Sequence, residues 1–288
     1  MAIDVTDFLG KVTISDGAWG TELDKLGCPP GYCREKWNLE KPELVEKVPA
    51  AYLAAGSRII LTNTFGANRF VLGRHGCENQ VRDLNRAGAE ISKRAANGQA
   101  LVFGSIGPSG TIVMMGEVTE EELFTAFKDQ AEGLAEGGAD GLVVETMTEL
   151  AELNAAVRAA KTTGLPVVGC MTFDSGAEKT ATLMGVTPEQ ATEALTVAGA
   201  DIVGCNCGIG IENYIIVAGK MRAATEKPIW VKANAGMPEI EEGRVVYRMP
   251  PEEFATKTRR LIEAGANIVG GCCGTSPRFI SALNETLT

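Results

Sequence analysis

The chain holds a single histidine, His75, in 288 residues. That scarcity excludes a histidine-rich metal site, and a Ser-His-Asp triad at any other position. Set in LGRHGCEN, His75 itself reads as a solvated residue of a loop or helix end. Basic residues are few as well: 27 Lys and Arg against 37 Asp and Glu give a formal net charge of -10 and an isoelectric point near 4.9. Nucleic acid and anionic membranes reward basic faces, so neither is expected as a partner. No apolar run approaches the ~20 residues of a membrane span, and the start, MAIDVTDFLGKV, lacks the apolar core of a secretory signal. A cytoplasmic setting is the expectation. Aromatic residues make up 6% of the chain, with three Trp and four Tyr, which leaves little material for an aromatic cage around a cation. A dinucleotide fingerprint is missing too, because the first apolar run leads into DGAWGT rather than GxGxxG.

Cysteine is present in quantity and in clusters. GCNCG carries Cys205 and Cys207, and GGCCGT carries Cys272 and Cys273. Thiols grouped this way suggest a thiolate metal site; soft ligands favour zinc over magnesium or calcium, and three protein thiolates leave one coordination position for a substrate. The scattered Cys28, Cys33, Cys77 and Cys170 read instead as small hydrophobes filling core space. A vicinal disulfide at Cys272 and Cys273 is not expected in a reducing compartment.

Four segments repeat one another: AAGSRIILTNT (54–64), EGGADGLVVET (136–146), VAGADIVGCNC (197–207) and EAGANIVGGCC (263–273). Each closes a helix with Gly and then enters an apolar run of strand length. Four more apolar runs lie between them: VTISD (12–16), LVFGSIG (101–107), PVVGCMTF (166–173) and PIWVKANAG (228–236). Helices are expected at 43–55, 120–136, 149–162, 188–198 and 251–264, several opened by Thr-Pro or acidic caps. Eight strands alternating with eight helices imply parallel strands closed into one (β/α)8 TIM barrel, an α/β domain over 1–288. Residues 237–249, MPEIEEGRVVYRM, read as an inserted hairpin, a candidate lid or partner surface.

Active sites of such barrels lie at the C-terminal ends of the strands. Counting from the Gly of each repeat, the seventh residue is Asn63, Glu145, Asn206 or Cys272, and the eighth is Thr64, Thr146, Cys207 or Cys273. The rule gathers Asp16, Asn63, Thr64, Glu145, Asn206, Cys207, Asn234, Cys272 and Cys273 at one mouth. Successive strand residues face opposite ways, so Cys272 and Cys273 can both ligate only if the strand ends there. Cys205 and Cys207 share a face if their strand continues, which keeps Cys205 open as a third ligand; relative height favours Cys207.

The motifs DGAWGT (16–21), TNTFGAN (62–68), GSIGPSG (104–110), Glu145-Thr146, Asn206-Cys207, NAG (234–236) and GGCCGT (270–275) resemble those of the zinc-dependent homocysteine S-methyltransferase family. That family includes the homocysteine-binding module of cobalamin-dependent methionine synthase, betaine-homocysteine methyltransferase and S-methylmethionine-dependent enzymes. The resemblance covers nearly the whole chain with the motifs in order. It implies that Cys207, Cys272 and Cys273 bind zinc and that the fourth position takes the homocysteine sulfur. It also implies that Asp16 and Glu145 lie near the substrate's ammonium group and that the region of Gly104 and Ser105 holds its carboxylate. Asn63, Asn206 and Asn234 are expected to brace these groups at the rim of the substrate site.

The function the resemblance implies is methyl transfer to the homocysteine thiolate, giving methionine. The favoured donor is a methylcorrinoid, such as methylcobalamin, on a separate corrinoid protein, because the chain is far shorter than a full methionine synthase. The alternatives are a small donor such as betaine or S-methylmethionine, another thiol acceptor, or a non-catalytic subunit that binds homocysteine or a corrinoid protein. For a cation cage, only Trp19 and Tyr32 are placed near the mouth. A phosphate-binding barrel with incidental cysteines is the least favoured reading, and a homodimer is compatible with the composition.

Overall fold

The eight apolar runs become the eight parallel strands of one sheet. In the computed structural model, which describes residues 3–241 and 244–287, the strands are β1 Thr13–Ile14, β2 Ile59–Ile60, β3 Leu101–Ile106, β4 Gly141–Met147, β5 Val167–Met171, β6 Ile202–Cys207, β7 Ile229–Ala233 and β10 Ile268–Gly271. Between β7 and β10, β8 (Glu239–Glu241) and β9 (Arg244–Val246) pair antiparallel, as the inserted hairpin requires; its tip, 242–243, lies outside the described residues. The order around the sheet is β1, β10, β7, β6, β5, β4, β3, β2. The seam between β1 and β2 carries no ladder, but Arg58 N donates to Ile14 O at 2.8 Å and Leu61 N donates to the Asp16 carboxylate at 2.8 Å. A side chain stands in for a backbone acceptor there, so both seam strands are shorter than the apolar runs that contain them. The result is a nearly closed (β/α)8 barrel.

Each barrel strand is followed by one long helix: Lys47–Ala54, Val81–Ala96, Glu120–Glu136, Leu150–Lys161, Pro188–Ala198, Ile211–Ala224, Pro251–Glu263 and Pro277–Leu287. Local sequence sets their ends. Thr119 with Glu122 and Thr187 with Gln190 form capping boxes, and Pro188 takes the first helical position. The helix expected over 43–55 is divided into Pro42–Val45 and Lys47–Ala54. Pro49 explains the break, since it offers no N–H to the carbonyl of Val45 and its ring crowds that group. Gly20–Lys25, Trp37–Glu40 and Arg69–Gly73 are further short helices in the loops after β1 and β2, which the eight-helix count did not include.

Strand alternation sorts the core into two shells. Phe103, Val143, Val168, Cys170, Ile202, Trp230 and Ile268 form a cluster within the barrel, where the Phe103 and Trp230 rings stack at 6.0 Å. The opposite faces, with Leu142, Val144, Val203, Cys205 and Val231, pack against the helices. Two residues further along the inner face, the apolar layer gives way to a polar one. Phe103 is succeeded by Ser105, Val143 by Glu145, and Trp230 by Lys232, all buried. That polar layer is the floor of the mouth.

Candidate active site

Three thiols meet at the mouth. Cys207 Sγ and Cys273 Sγ lie 4.0 Å apart, and the sulfurs of Cys207, Cys272 and Cys273 are all within 4.8 Å of one another. Local backbone geometry brings them together. β10 ends at Gly271, and Thr275 N then turns back to Cys272 O at 3.2 Å, so the adjacent cysteines no longer point to opposite faces. Cys207 closes β6 with φ of 68°, in the left-handed region. That twist carries it off the outer face that Cys205 occupies, and Cys205 stays fully buried against the helices. Cys207 is therefore the third member of the cluster. Cys28, Cys33, Cys77 and Cys170 are buried, outside this group, and His75 is exposed.

Asn234 ties the two cysteine loops together. Its Nδ2 donates to Gly208 O at 2.5 Å and contacts Cys207 Sγ at 3.8 Å, while its Oδ1 accepts from Cys273 N at 3.0 Å. Asn206 makes the corresponding links from β6 across to β4 and to Cys272. Its Oδ1 accepts from Thr146 N at 2.8 Å, and its Nδ2 reaches Thr146 Oγ1 at 2.8 Å, Glu145 Oε2 at 3.3 Å and Cys272 Sγ at 3.9 Å. Thr146 has φ of 65° and occupies the same repeat position as Cys207. A left-handed β-branched residue is strained, on the order of 1–3 kcal/mol, and persists where its surroundings over-determine it. The pair of bonds from Asn206 supplies that determination.

Thiol acidity follows from the crowding. The contact with Cys272 lowers the Cys207 pKa, but the contact with Cys273 and burial outweigh it and leave the thiol at about 11. Cys272 is raised to about 12, first by its contact with Cys207 and then by burial. For Cys273 the bond to Cys207 pulls downward, while Cys272 and burial push it up to about 12. Three neutral thiols at this spacing suit a cation that displaces their protons. Four ligands around zinc at ~2.3 Å place their sulfurs ~3.8 Å apart, so the residues fit this metal with little movement. From the hairpin segment, the Tyr247 ring lies over Gly274, the residue next to Cys273. The hairpin thus reaches the cluster, a contact that charge pattern alone did not reveal.

Beneath the thiols, Glu145 accepts from Ser105 Oγ at 2.5 Å, and burial holds its carboxyl above the usual range despite the nearby Lys232 ammonium. Asp16 is wholly buried and pairs with Lys232 Nζ at 2.5 Å. Burial works against the Lys232 ammonium, but Asp16 and Glu145 outweigh it and raise its pKa, so the lysine is charged. Sequence reasoning missed Lys232. Its one signal was a lysine inside the apolar run IWVKA.

The remaining expected residues divide. Ser105 is in the polar floor, but its N–H already donates to Thr62 Oγ1 at 3.0 Å. Gly104 is on the other face; a Cβ there would meet Leu134 and Leu142, so it serves helix packing and does not line the mouth. Asn63 donates to Arg34 O at 2.8 Å and Asn38 Oδ1 at 2.9 Å, bracing the segment after β1. Thr64 donates to Ser105 O at 2.7 Å. Trp19 donates its indole N–H to Asp16 at 2.8 Å, whereas the Tyr32 hydroxyl turns away to Glu40 at 2.5 Å.

Residues 13–287 match the family model described as homocysteine S-methyltransferase. The chain belongs to the homocysteine S-methyltransferase family. It is 32% identical over 298 residues to the methionine synthase of Mycobacterium tuberculosis, an alignment that covers 96% of this chain and 25% of that protein. The chain thus spans about a quarter of the length of that relative. It is 30% identical to betaine–homocysteine S-methyltransferase 1 of Danio rerio, over 97% of this chain and 74% of the relative. The crystal structure of the metallated homocysteine methyltransferase MmuM from Escherichia coli shares the fold, with a TM-score of 0.80, 24% identity and 96% of each chain covered. Among the described residues, no helix is long and apolar enough to cross a membrane.

Proposed function

We propose that this member of the family is a zinc-dependent S-methyltransferase that transfers a methyl group to the sulfur of homocysteine, giving methionine, with a methylcorrinoid on a separate protein as donor. The observation that carries the reading is the trio Cys207, Cys272 and Cys273, whose sulfurs lie within 4.8 Å. Zinc held by these residues would supply a Lewis-acidic centre that makes an incoming thiol a thiolate without a histidine base. The protein's own groups do the rest. Asn234 and Asn206 hold the cysteine loops in register, and Glu145, beneath Cys272, favours a substrate cation such as an amino acid's ammonium. Holding the sulfur in line with the methyl carbon is the main requirement of the reaction. The S–CH3 bond forms as the donor–CH3 bond breaks, and the electron pair of the broken bond stays with the donor.

Two features favour a large donor over a small caged cation. Trp19 is held against Asp16 while Tyr32 bonds Glu40, so the two candidate aromatics do not build a joint cage. The loops after β3, β5 and β7 expose Met114, Met115, Leu183, Met237, Ile240 and Val245 on the mouth end of the barrel, an apolar rim suited to a protein partner. Free thiols at the site fit a reducing, cytoplasmic compartment.

Zinc analysis with X-ray absorption tests the acceptor half. One zinc with three sulfurs, rising to four on adding homocysteine, is expected; a count unmoved by homocysteine would sink the reading. Assays with methylcobalamin, betaine and S-methylmethionine test the donor half. Turnover with betaine or S-methylmethionine but not methylcobalamin would reject the corrinoid.

A further inference from the structure

Lys232 is a cation buried in a barrel floor whose expected task is to receive a cation. Asp16 and Glu145 were both expected near the substrate's ammonium group, yet the structure treats them differently. Asp16 is 0% exposed and its oxygens are taken: Oδ1 by Lys232 Nζ at 2.5 Å, with Ser15 Oγ at 3.4 Å, and Oδ2 by Trp19 Nε1 and Leu61 N, each at 2.8 Å. A carboxylate offers about four acceptor sites, so none is left for a ligand. Glu145 keeps 6% exposure, and its Oε2 accepts only the long bond from Asn206 at 3.3 Å.

We propose that Lys232 is a specificity-setting positioning residue, which commits Asp16 to the protein interior and leaves Glu145 as the one carboxylate that receives the substrate's ammonium group. The inference rests on the homocysteine reading above and deepens it. Charge balance gives the reason. Asp16, Glu145 and Lys232 together carry one net negative charge, which a single ammonium neutralises. Without the lysine, the same ammonium would leave one buried carboxylate unbalanced, a costly state in a low-dielectric interior. The barrel is shaped around the pair: a Cβ at Gly270 would fall 2.7 Å from Asp16 O and 3.4 Å from Lys232 Cγ.

The test is equilibrium binding to the zinc-loaded protein of two ligands, homocysteine and its deamino analogue, which keeps the thiol and carboxylate but lacks the ammonium. Wild type should prefer homocysteine by about tenfold or more, the usual range for a hydrogen bond to a charged group. Glu145→Gln should erase that preference. The double variant Asp16→Asn/Lys232→Met, which removes both charges together, should lower affinity for the two ligands in parallel and keep their ratio. Lys232→Met alone should raise the preference, because the freed Asp16 then also attracts the ammonium; if that variant does not fold, the double variant still decides. Loss of the ratio in the double variant, as in Glu145→Gln, would mean that Asp16 touches the ammonium directly and would overturn this inference alone. Equal binding of both ligands to wild type would overturn the amino-acid reading and the inference with it.

Discussion

Cys207 and Cys273 are 66 positions apart in the chain and 4.0 Å apart at their sulfurs. Neither reaches the other by simple strand geometry. One turns in through a left-handed backbone at the end of β6, the other through the turn that ends β10, and Asn234 on β7's extension bonds to both loops. The site is therefore set by backbone at three neighbouring strand ends, and it should be formed before a metal arrives.

Cys272→Ala should abolish zinc binding and methyl transfer while leaving the fold intact, because the cluster sits on the rim of a nearly closed barrel with its own core. Circular dichroism and thermal melting of the metal-free wild type and variant should nearly superimpose. Unfolding of the variant would show that the cysteines hold the barrel together.

Zinc affinity should rise with pH through the neutral range. The three thiols have pKa values of about 11 to 12 in the metal-free protein, so at neutral pH each is protonated and gives up its proton on ligation; lower pH opposes binding. Titration with zinc in weak buffer should release about three protons per metal. Release of one proton or none would mean that the trio does not bind as thiolates.

Asn234→Ala should retain three sulfurs around zinc but weaken the metal by about 10–100-fold, the usual effect of removing an outer partner of the ligands. Competition with a chelator measures this. An unchanged affinity would reduce Asn234 to a loop brace.

Lys232→Ala should destabilise the protein by roughly 3–5 kcal/mol, since it leaves Asp16 buried and unpaired. Denaturant unfolding of the metal-free protein gives the value. A loss below about 1 kcal/mol, the range of an exposed pair, would mean that water reaches Asp16 in solution.

Much of this molecule was legible without coordinates. The eight apolar runs announce strands buried on both faces, as parallel barrel strands must be, and Thr119, Thr187 and Pro188 mark helix starts where capping chemistry demands them. The four-fold repeat put Glu145, Asn206 and Cys272 at one height, and a chain of contacts does run from Ser105 through Glu145 and Asn206 to Cys272. Pattern of this kind is local, and burial writes it into the sequence at a fixed period.

What tertiary structure alone decided is where side chains turn and whom they meet. Sequence kept Cys205 open while relative height favoured Cys207, and a single left-handed φ at Cys207 brings that residue, and not Cys205, beside Cys272 and Cys273. The family resemblance put Gly104 in the region that holds the substrate's carboxylate, but strand parity sends it to the helix layer. Lys232 passed unnoticed inside the apolar run IWVKA; its partner Asp16 lies 216 residues away, on the far side of β10. Periodicity encodes which face of an element is buried, because that depends on neighbours along the chain. Which charges pair within the barrel depends on closure of the sheet, which only the assembled fold brings about.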